Sequence, residues 1–244
     1  MDRTVKARWE RTSDEFQETA DISVGINWGW DDIDDETLLG DLEGKDVLEL
    51  GCGGGQDTAA LAERGATVTG IDLSREQLGH ATALFDEHDL EIDVAEGSVT
   101  ALPFGADQFD LAFNTWVFQW VPDLQACFEE AYRVLRPGGR LVFSMPHPFF
   151  SLTDAETHKL EESYFDTGRH VLVDHREDYP NMVTYRRRVS DVHNALREAG
   201  FVVDELKEPG SSDPGDHEAG PWGESPPELR AKIPRVLIVA ATAE

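Results

Sequence analysis

Three glycines, Gly51, Gly53 and Gly55, follow the apolar run Asp46-Val-Leu-Glu-Leu50, and a carboxylate, Glu49, stands two residues ahead of the first. A strand that ends in glycines and then opens a helix lets a ligand lie against bare backbone, with the helix N-terminal N–H groups aimed at it. A second carboxylate, Asp72, closes the next apolar run, about 20 residues after Gly53, where an acid can take both hydroxyls of a ribose. That acid suits a nicotinamide or an adenosyl ligand equally. The dinucleotide fingerprint G-x-G-x-x-G/A, counted from Gly51, meets Gln56 where Gly or Ala is required, and so fails at its third position. Glu49 repels a pyrophosphate but suits a ligand bearing an ammonium and a sulfonium.

Other residues with chemical potential lie further along. Thr115-Trp-Val-Phe-Gln-Trp-Val-Pro122 is an aromatic stretch after an apolar run, and Pro146-His-Pro148 follows a later one. His147, fixed by two prolines, fits either a base or polar anchor in an acceptor pocket, or a wall residue with a structural hydrogen bond. Tyr185-Arg-Arg-Arg-Val189 is a local basic cluster; Arg187 suits an acidic substrate, although such clusters also pair with surface acid. Trp28 and Trp30, in Asn27-Trp-Gly-Trp-Asp-Asp32, present aromatic surface as part of a lid or simply pack an arm onto the domain. Cys52 and Cys127 make neither a disulfide framework nor a zinc spacing, and no metal site is expected.

The elements that must position these groups alternate between apolar strands and amphipathic helices, which argues for parallel βαβ units. Strands are expected at 46–50, 66–71, 92–96, 109–114, 140–145, 201–206 and 235–241. Helices are expected at about 57–64, stopped by Gly65; after Ser74, which forms a capping box with Gln77; after Asp123; and from Ser190 to Ala199, stopped by Gly200. The expected organisation is a single α/β domain. Residues 1–40 form an N-terminal arm or lid, 41–145 a ligand-binding core, 146–189 an inserted cap with a short helix capped by Thr153 and Glu156, and 190–244 the completion of the sheet.

Composition narrows the class. Forty-nine acids against 21 bases give a net charge of −28, which repels nucleic acid and anionic membranes. Only five of the bases are lysines, and the acid is spread along the chain, so the surface resembles that of extreme halophiles; an ordinary acidic protein is the alternative. With no apolar signal region at the N-terminus, a cytoplasmic protein is expected.

Glu49-Leu-Gly-Cys-Gly-Gly-Gly55 resembles motif I of the class I S-adenosylmethionine-dependent methyltransferases, and Gly70-Ile-Asp-Leu-Ser74 resembles their second motif. Ala101-Leu-Pro-Phe104, Phe109-Asp-Leu-Ala-Phe-Asn114 and Leu135-Arg-Pro-Gly-Gly-Arg-Leu141 are similar to three later segments, in family order. Gln119-Trp-Val-Pro-Asp123 is similar to a segment of small-acid members. The resemblance implies a Rossmann-like, mostly parallel seven-stranded sheet with an antiparallel last strand, S-adenosyl-L-methionine as cofactor, and a small-molecule methyl acceptor. By position it implies that Glu49, Gly51, Cys52, Gly53 and Gln56 surround the methionine part, that Asp72 holds the ribose, and that Leu73 lies against adenine. It also places Ser98 and Val99 near the adenine amine and Asn114 by the methionyl group. Ser98 departs from the family, which often has an acid there. Trp28, Trp30, Trp116, Gln119, Trp120, His147 and Arg187 are the candidate acceptor residues. The competing expectations are a cofactor-binding protein without transferase activity and a nicotinamide oxidoreductase.

Overall fold

A computed structural model describes residues 3–20, 23–30, 33–153, 159–160, 162–217 and 226–244. The chain forms α1 (Arg3–Ala20), α2 (Asp35–Leu39), β1 (Asp46–Leu50), α3 (Gln56–Glu63), β2 (Thr67–Asp72), α4 (Arg75–Glu87), β3 (Asp93–Glu96) and β4 (Phe109–Thr115). It continues through α5 (Leu124–Val134), β5 (Leu135–Pro146), β6 (Gly168–Leu172), β7 (Met182–Arg186), α6 (Val189–Ala199), β8 (Phe201–Lys207), α7 (Pro227–Arg230) and β9 (Val236–Ala243).

Seven strands make one sheet in the order β3-β2-β1-β4-β5-β9-β8. The pairs β3–β2, β2–β1, β1–β4 and β4–β5 are parallel, and β9 runs antiparallel to both β5 and β8. The central strands read as apolar runs because helices cover both faces. Leu48, Leu50, Ala112 and Phe143 face one buried cluster with α5 and α6, while Val47, Leu111, Phe113 and Val142 face the other with Leu38, Leu39 and Trp28. Within the first, Phe118 meets Phe128 and Phe143 edge-on, with ring centres 5.4 and 4.8 Å apart. After β1 the chain builds β2 and β3 on one side and then crosses to β4 on the other, which opens a crevice at the carboxyl ends of β1 and β4.

Local signals place the helices. Ser74 Oγ accepts from Gln77 N at 3.2 Å, and Asp123 Oδ1 from Ala126 N at 3.0 Å. Ser190 is not the cap of α6: the N-cap is Arg188, whose N–H donates to Asp191 Oδ2 at 2.9 Å. β5 begins at Leu135, directly after α5, so Pro137-Gly-Gly139 lies within the strand instead of ahead of it. The arm contains an 18-residue helix, α1, whose Val5, Trp9, Thr12, Ser13 and Phe16 share a helical face. The 146–189 insertion contains an antiparallel hairpin, β6–β7, where the sequence showed no sustained period. Glu156 and His158 lie outside the described residues.

Phe128→Ala is expected to cost about 3–5 kcal/mol of stability through the cavity it leaves among Phe118 and Phe143. Denaturant unfolding checks this; a loss below about 1 kcal/mol contradicts the packing described.

Candidate functional site

The crevice is a cavity of about 640 Å³. Its floor is the turn after β1. Gly51 N and Cys52 N donate to Ile71 O at 2.7 and 3.0 Å, tying the turn to β2. Gly51 has φ +82°, and a Cβ there would lie 2.6 Å from Val117 Cγ2, so no larger residue fits. At Gly53, φ is +52°, and an added Cβ would meet only Gln77 Oε1, at 3.9 Å. The room above Gly53 therefore belongs to the cavity.

Three carboxylates line this end: Glu49, Asp57 and Asp72. Asp72 accepts from Gly53 N at 3.1 Å and Ser74 N at 2.8 Å, so the glycine turn and the start of α4 hold it in place. Burial still raises its pKa to about 6, against the pull of those N–H groups. Asp57 accepts from Thr115 Oγ1 at 2.5 Å and Asn27 N at 3.2 Å, and burial raises it to about 6 as well. Glu49 is buried, accepts from Thr58 Oγ1, and is pushed well above the usual carboxylate range by burial and then by the neighbouring Asp57. Three acids drawn toward their neutral forms in one cavity gain from a bound cation and reject a pyrophosphate. A ligand with a ribose, a sulfonium and an ammonium fits them: Asp72 for the diol, Glu49 and Asp57 toward the positive end.

Leu73, Ser98 and Val99 form the adjoining wall. Ser98 Oγ is engaged with Thr100 Oγ1 at 2.9 Å. Gln56 Nε2 donates to Gln17 Oε1 at 2.7 Å, and Gln17 Nε2 to Gln77 Oε1 at 2.8 Å, so an amide chain ties α1 across the opening. Trp9 of α1 meets Trp120 edge-on at 5.6 Å. Burial raises the Cys52 thiol well above its usual pKa, which leaves it a wall residue without thiolate character.

Trp116, Gln119 and Trp120 line the far side, after β4. Trp116 holds φ +56°, an uncommon conformation for a bulky residue. It is fixed from both ends: its N–H donates to Ser144 O at 3.1 Å, and its carbonyl accepts from Gln119 Nε2 at 2.5 Å and Trp120 Nε1 at 3.1 Å.

Five sequence candidates stand outside the cavity wall. Asn114 is turned from it by strand alternation and gives Nδ2 to Leu50 O at 2.5 Å; Thr115 takes the wall position. Trp28 is buried edge-on against Phe113 at 5.5 Å with its indole N–H on Asp35, and Trp30 packs on His217 at 5.2 Å. Asn27 lines the cavity in their place. His147 Nδ1 accepts from Phe149 N at 3.0 Å, leaving Nε2 as the donor to Glu208 Oε1 at 2.8 Å. Both nitrogens are committed, so the ring has no lone pair for a substrate proton. The Arg187 guanidinium donates to the carbonyls of Phe118 (3.0 Å), Tyr185 (3.1 Å), Pro122 (3.3 Å) and Val121. It ties together the 118–122 segment without lining the cavity, and burial lowers its pKa to about 10. Asp57, Gln17, Trp9 and Arg235 join the wall unannounced by any motif, and of these only Trp9 carried a signal, the spacing of apolar residues along α1; Thr115 joins it from the aromatic stretch that it opens.

Residues 48–143 match a family model described as methyltransferase domain. Over those residues the chain is similar to methyltransferase domains. It is 38% identical over 142 residues to a ubiquinone biosynthesis O-methyltransferase of Pseudomonas entomophila, covering 56% of each chain, so it spans little more than half the length of the curated relatives it matches. An S-adenosylmethionine-dependent methyltransferase of Mesorhizobium loti superposes with TM-score 0.62 at 26% identity, over 85% of this chain and 94% of that one. A putative one from Listeria monocytogenes shares the fold, with TM-score 0.67 at 23% identity over 86% and 95%.

Proton competition at Asp72 sets a pH dependence. The free carboxyl is half protonated near pH 6, and the ribose diol needs the ionised form. Affinity for S-adenosylhomocysteine, measured by calorimetry, is expected to fall as pH drops through about 6, where Asp72 and Asp57 both take up protons, by more than about tenfold per unit. Asp72→Asn is expected to remove one proton from that slope and to weaken binding by about 1.5–3 kcal/mol. His147→Gln is expected to leave cofactor affinity unchanged while lowering the melting temperature; a loss of affinity instead would return His147 to the site.

Proposed function

We propose that the protein transfers a methyl group from S-adenosylmethionine to a small-molecule acceptor. The observation that carries this reading is the cavity itself, with three raised-pKa carboxylates at one end and an aromatic wall at the other. The sulfonium supplies a methyl already activated for displacement, so alignment and exclusion of water account for much of the catalysis asked of the protein. Asp72 and the glycine turn orient the ribose. Glu49 and Asp57 face the positive end, and Trp116, pinned in its left-handed conformation, sets the wall that the acceptor meets. The relatives named as O-methyltransferases support a small acceptor.

The division into arm, core, cap and closing strands belongs to the same reading, with 1–40 and part of 146–189 acting together as a lid. Arg8 of α1 donates to Pro180 O at 2.8 Å and pairs with Asp174, while Arg176 reaches Glu15 at 2.8 Å. The Tyr179 ring lies between Arg11 and Arg176, at 4.3 and 3.8 Å. Among the described residues no helix is long and apolar enough to cross a membrane. With the net charge of −28, this supports a protein of a salt-rich cytoplasm that takes neither nucleic acid nor membrane as partner.

The test is to incubate the protein with S-adenosylmethionine and a small-molecule cell extract. S-adenosylhomocysteine is expected only when all three are present. Binding without turnover favours a non-catalytic binding protein, and affinity for NAD with none for the sulfonium cofactor favours an oxidoreductase. Separately, the melting temperature is expected to rise by several degrees as KCl goes from about 0.1 to about 2 M, because screening relieves the self-repulsion of the surface. A flat or falling curve argues against the salt-rich setting.

A further inference from the structure

The acid-lined end of the cavity leaves one part of a methionine-bearing cofactor unplaced. Its tail is a zwitterion, and while Glu49 and Asp57 suit the ammonium, they repel the carboxylate beside it. Among the described wall residues the cation is Arg235, which stands just before β9, three strand spacings or about 14 Å from β1, with its guanidinium carbon 5.5 Å from the centre of the Trp116 ring. Lys6 and Arg8 of α1 are committed, the first to Glu96 at 2.6 Å and the second to Asp174 and Pro180. The carboxylate therefore needs neutral donors.

Such donors stand together over the glycine turn. Gln17 of α1, Gln56 at the first position of α3 and Gln77 of α4 all line the cavity, and Gln17 links the other two through the amide bonds of 2.7 and 2.8 Å described above. Each primary amide carries two hydrogens. The chain uses one from Gln17 and one from Gln56, so a second N–H of each has no partner among the described residues. Two neighbouring N–H donors make a fork that suits the two oxygens of a carboxylate. Gln56 also opens α3, whose first-turn backbone N–H groups favour an anion.

The seat of Gln17 depends on Gly54. A Cβ added there would lie 2.3 Å from Gln17 Nε2, 2.6 Å from its Cδ and 2.7 Å from its Oε1, so the amide rests on bare backbone. Gly54 lacks the left-handed φ of Gly51, Gly53 and Gly55, and its missing side chain makes room for Gln17 where theirs serve the turn. Roof and floor thus meet at two amides that still have hydrogens to give.

We propose that the methionyl carboxylate of the cofactor is held by the amide N–H groups of Gln17 and Gln56, so that a complete cofactor draws α1 down onto the glycine turn. This rests on the methyltransferase reading for the identity of the ligand. The zwitterion is then split between neighbours, its ammonium toward Glu49 and Asp57 and its carboxylate on neutral amides. A nucleoside without the carboxylate gives Gln17 no new partner, and the roof stays as free as in the empty protein.

Calorimetric titration of S-adenosylhomocysteine against its decarboxylated analogue, S-adenosyl-3-thiopropylamine, tests it, because the two differ only in the carboxylate. Without a seat for that group, an acid-lined cavity favours the analogue, whose tail is a bare cation. With the seat, S-adenosylhomocysteine is expected to bind about tenfold or more tightly than the analogue. Gln17→Leu and, independently, Gly54→Ala, which keeps Gln17 but displaces its amide, are each expected to shrink that ratio about fivefold or more, with the analogue bound within about twofold of its affinity for the parent. Hydrogen exchange of the α1 amides is expected to slow with S-adenosylhomocysteine and not with the analogue. The proposal is overturned if the parent shows no preference or favours the analogue, or if the ratio survives in Gln17→Leu. It is also overturned if Gln17→Leu weakens both ligands alike, or if both slow exchange in α1 alike, since either result makes Gln17 a brace of the roof only. A parent protein that binds neither adenosyl ligand sinks the methyltransferase reading and the assignment together, whereas binding of both without discrimination sinks the assignment alone.

Discussion

Crowding three buried carboxylates at one end of a cavity is the constraint around which the structure is arranged. Burial pushes Glu49, Asp57 and Asp72 toward their neutral forms, and only fixed dipoles or a cation make ionisation acceptable there. The fold supplies the dipoles first. The turn after β1 lends Gly53 N and the start of α4 lends Ser74 N to Asp72, while Thr58 and Thr115 lend hydroxyls to the other two. These groups converge because the chain reverses its direction of sheet growth between β1 and β4, where the loops part. The roof matters as much as the floor, since without α1 the acids would face water.

Much of this was legible because its causes are local. A parallel strand buried on both faces reads as an apolar run, and a cap reads as Ser or Asp ahead of one. Gly51, Gly53 and Asp72 were legible because a tight turn requires glycine and an acid closes the next strand, and the structure brings all three to one cavity. The fingerprint that failed at Gln56 was informative for the same reason: in the fold, that side chain bonds to Gln17.

What escaped depends on partners far away in the chain. Nothing near His147 says that Glu208 will take its Nε2, and nothing near Arg187 says that the carbonyls of Phe118 and Val121 will claim its guanidinium. His147 was read from its type and its position after a strand, and Arg187 from a cluster of basic residues; neither signal distinguishes a group facing the cavity from one supporting its wall. Asn114 stands outside the wall for a simpler reason: its amide is taken by Leu50 O, while the next residue along the strand, Thr115, lines the cavity. Asp57 looked like an ordinary first-turn acid of α3 until Asn27 and Thr115 closed on it. The helix in α1 was hidden by a polar, acidic segment whose apolar face is only a few residues long.

The roof has a consequence for how the protein is made. α1 is synthesised well before the hairpin, yet its Arg8 awaits Asp174 and Pro180, 166 and 172 residues later. The floor of the site, with β1, β2 and β4 in hand, can assemble while the hairpin that anchors the roof is still being translated. During that interval the nascent chain carries an open, acid-lined cleft with its aromatic wall uncovered. The helix synthesised ahead of the sheet is thus among the last elements to take its place, and completion of the site reports that synthesis has passed the hairpin.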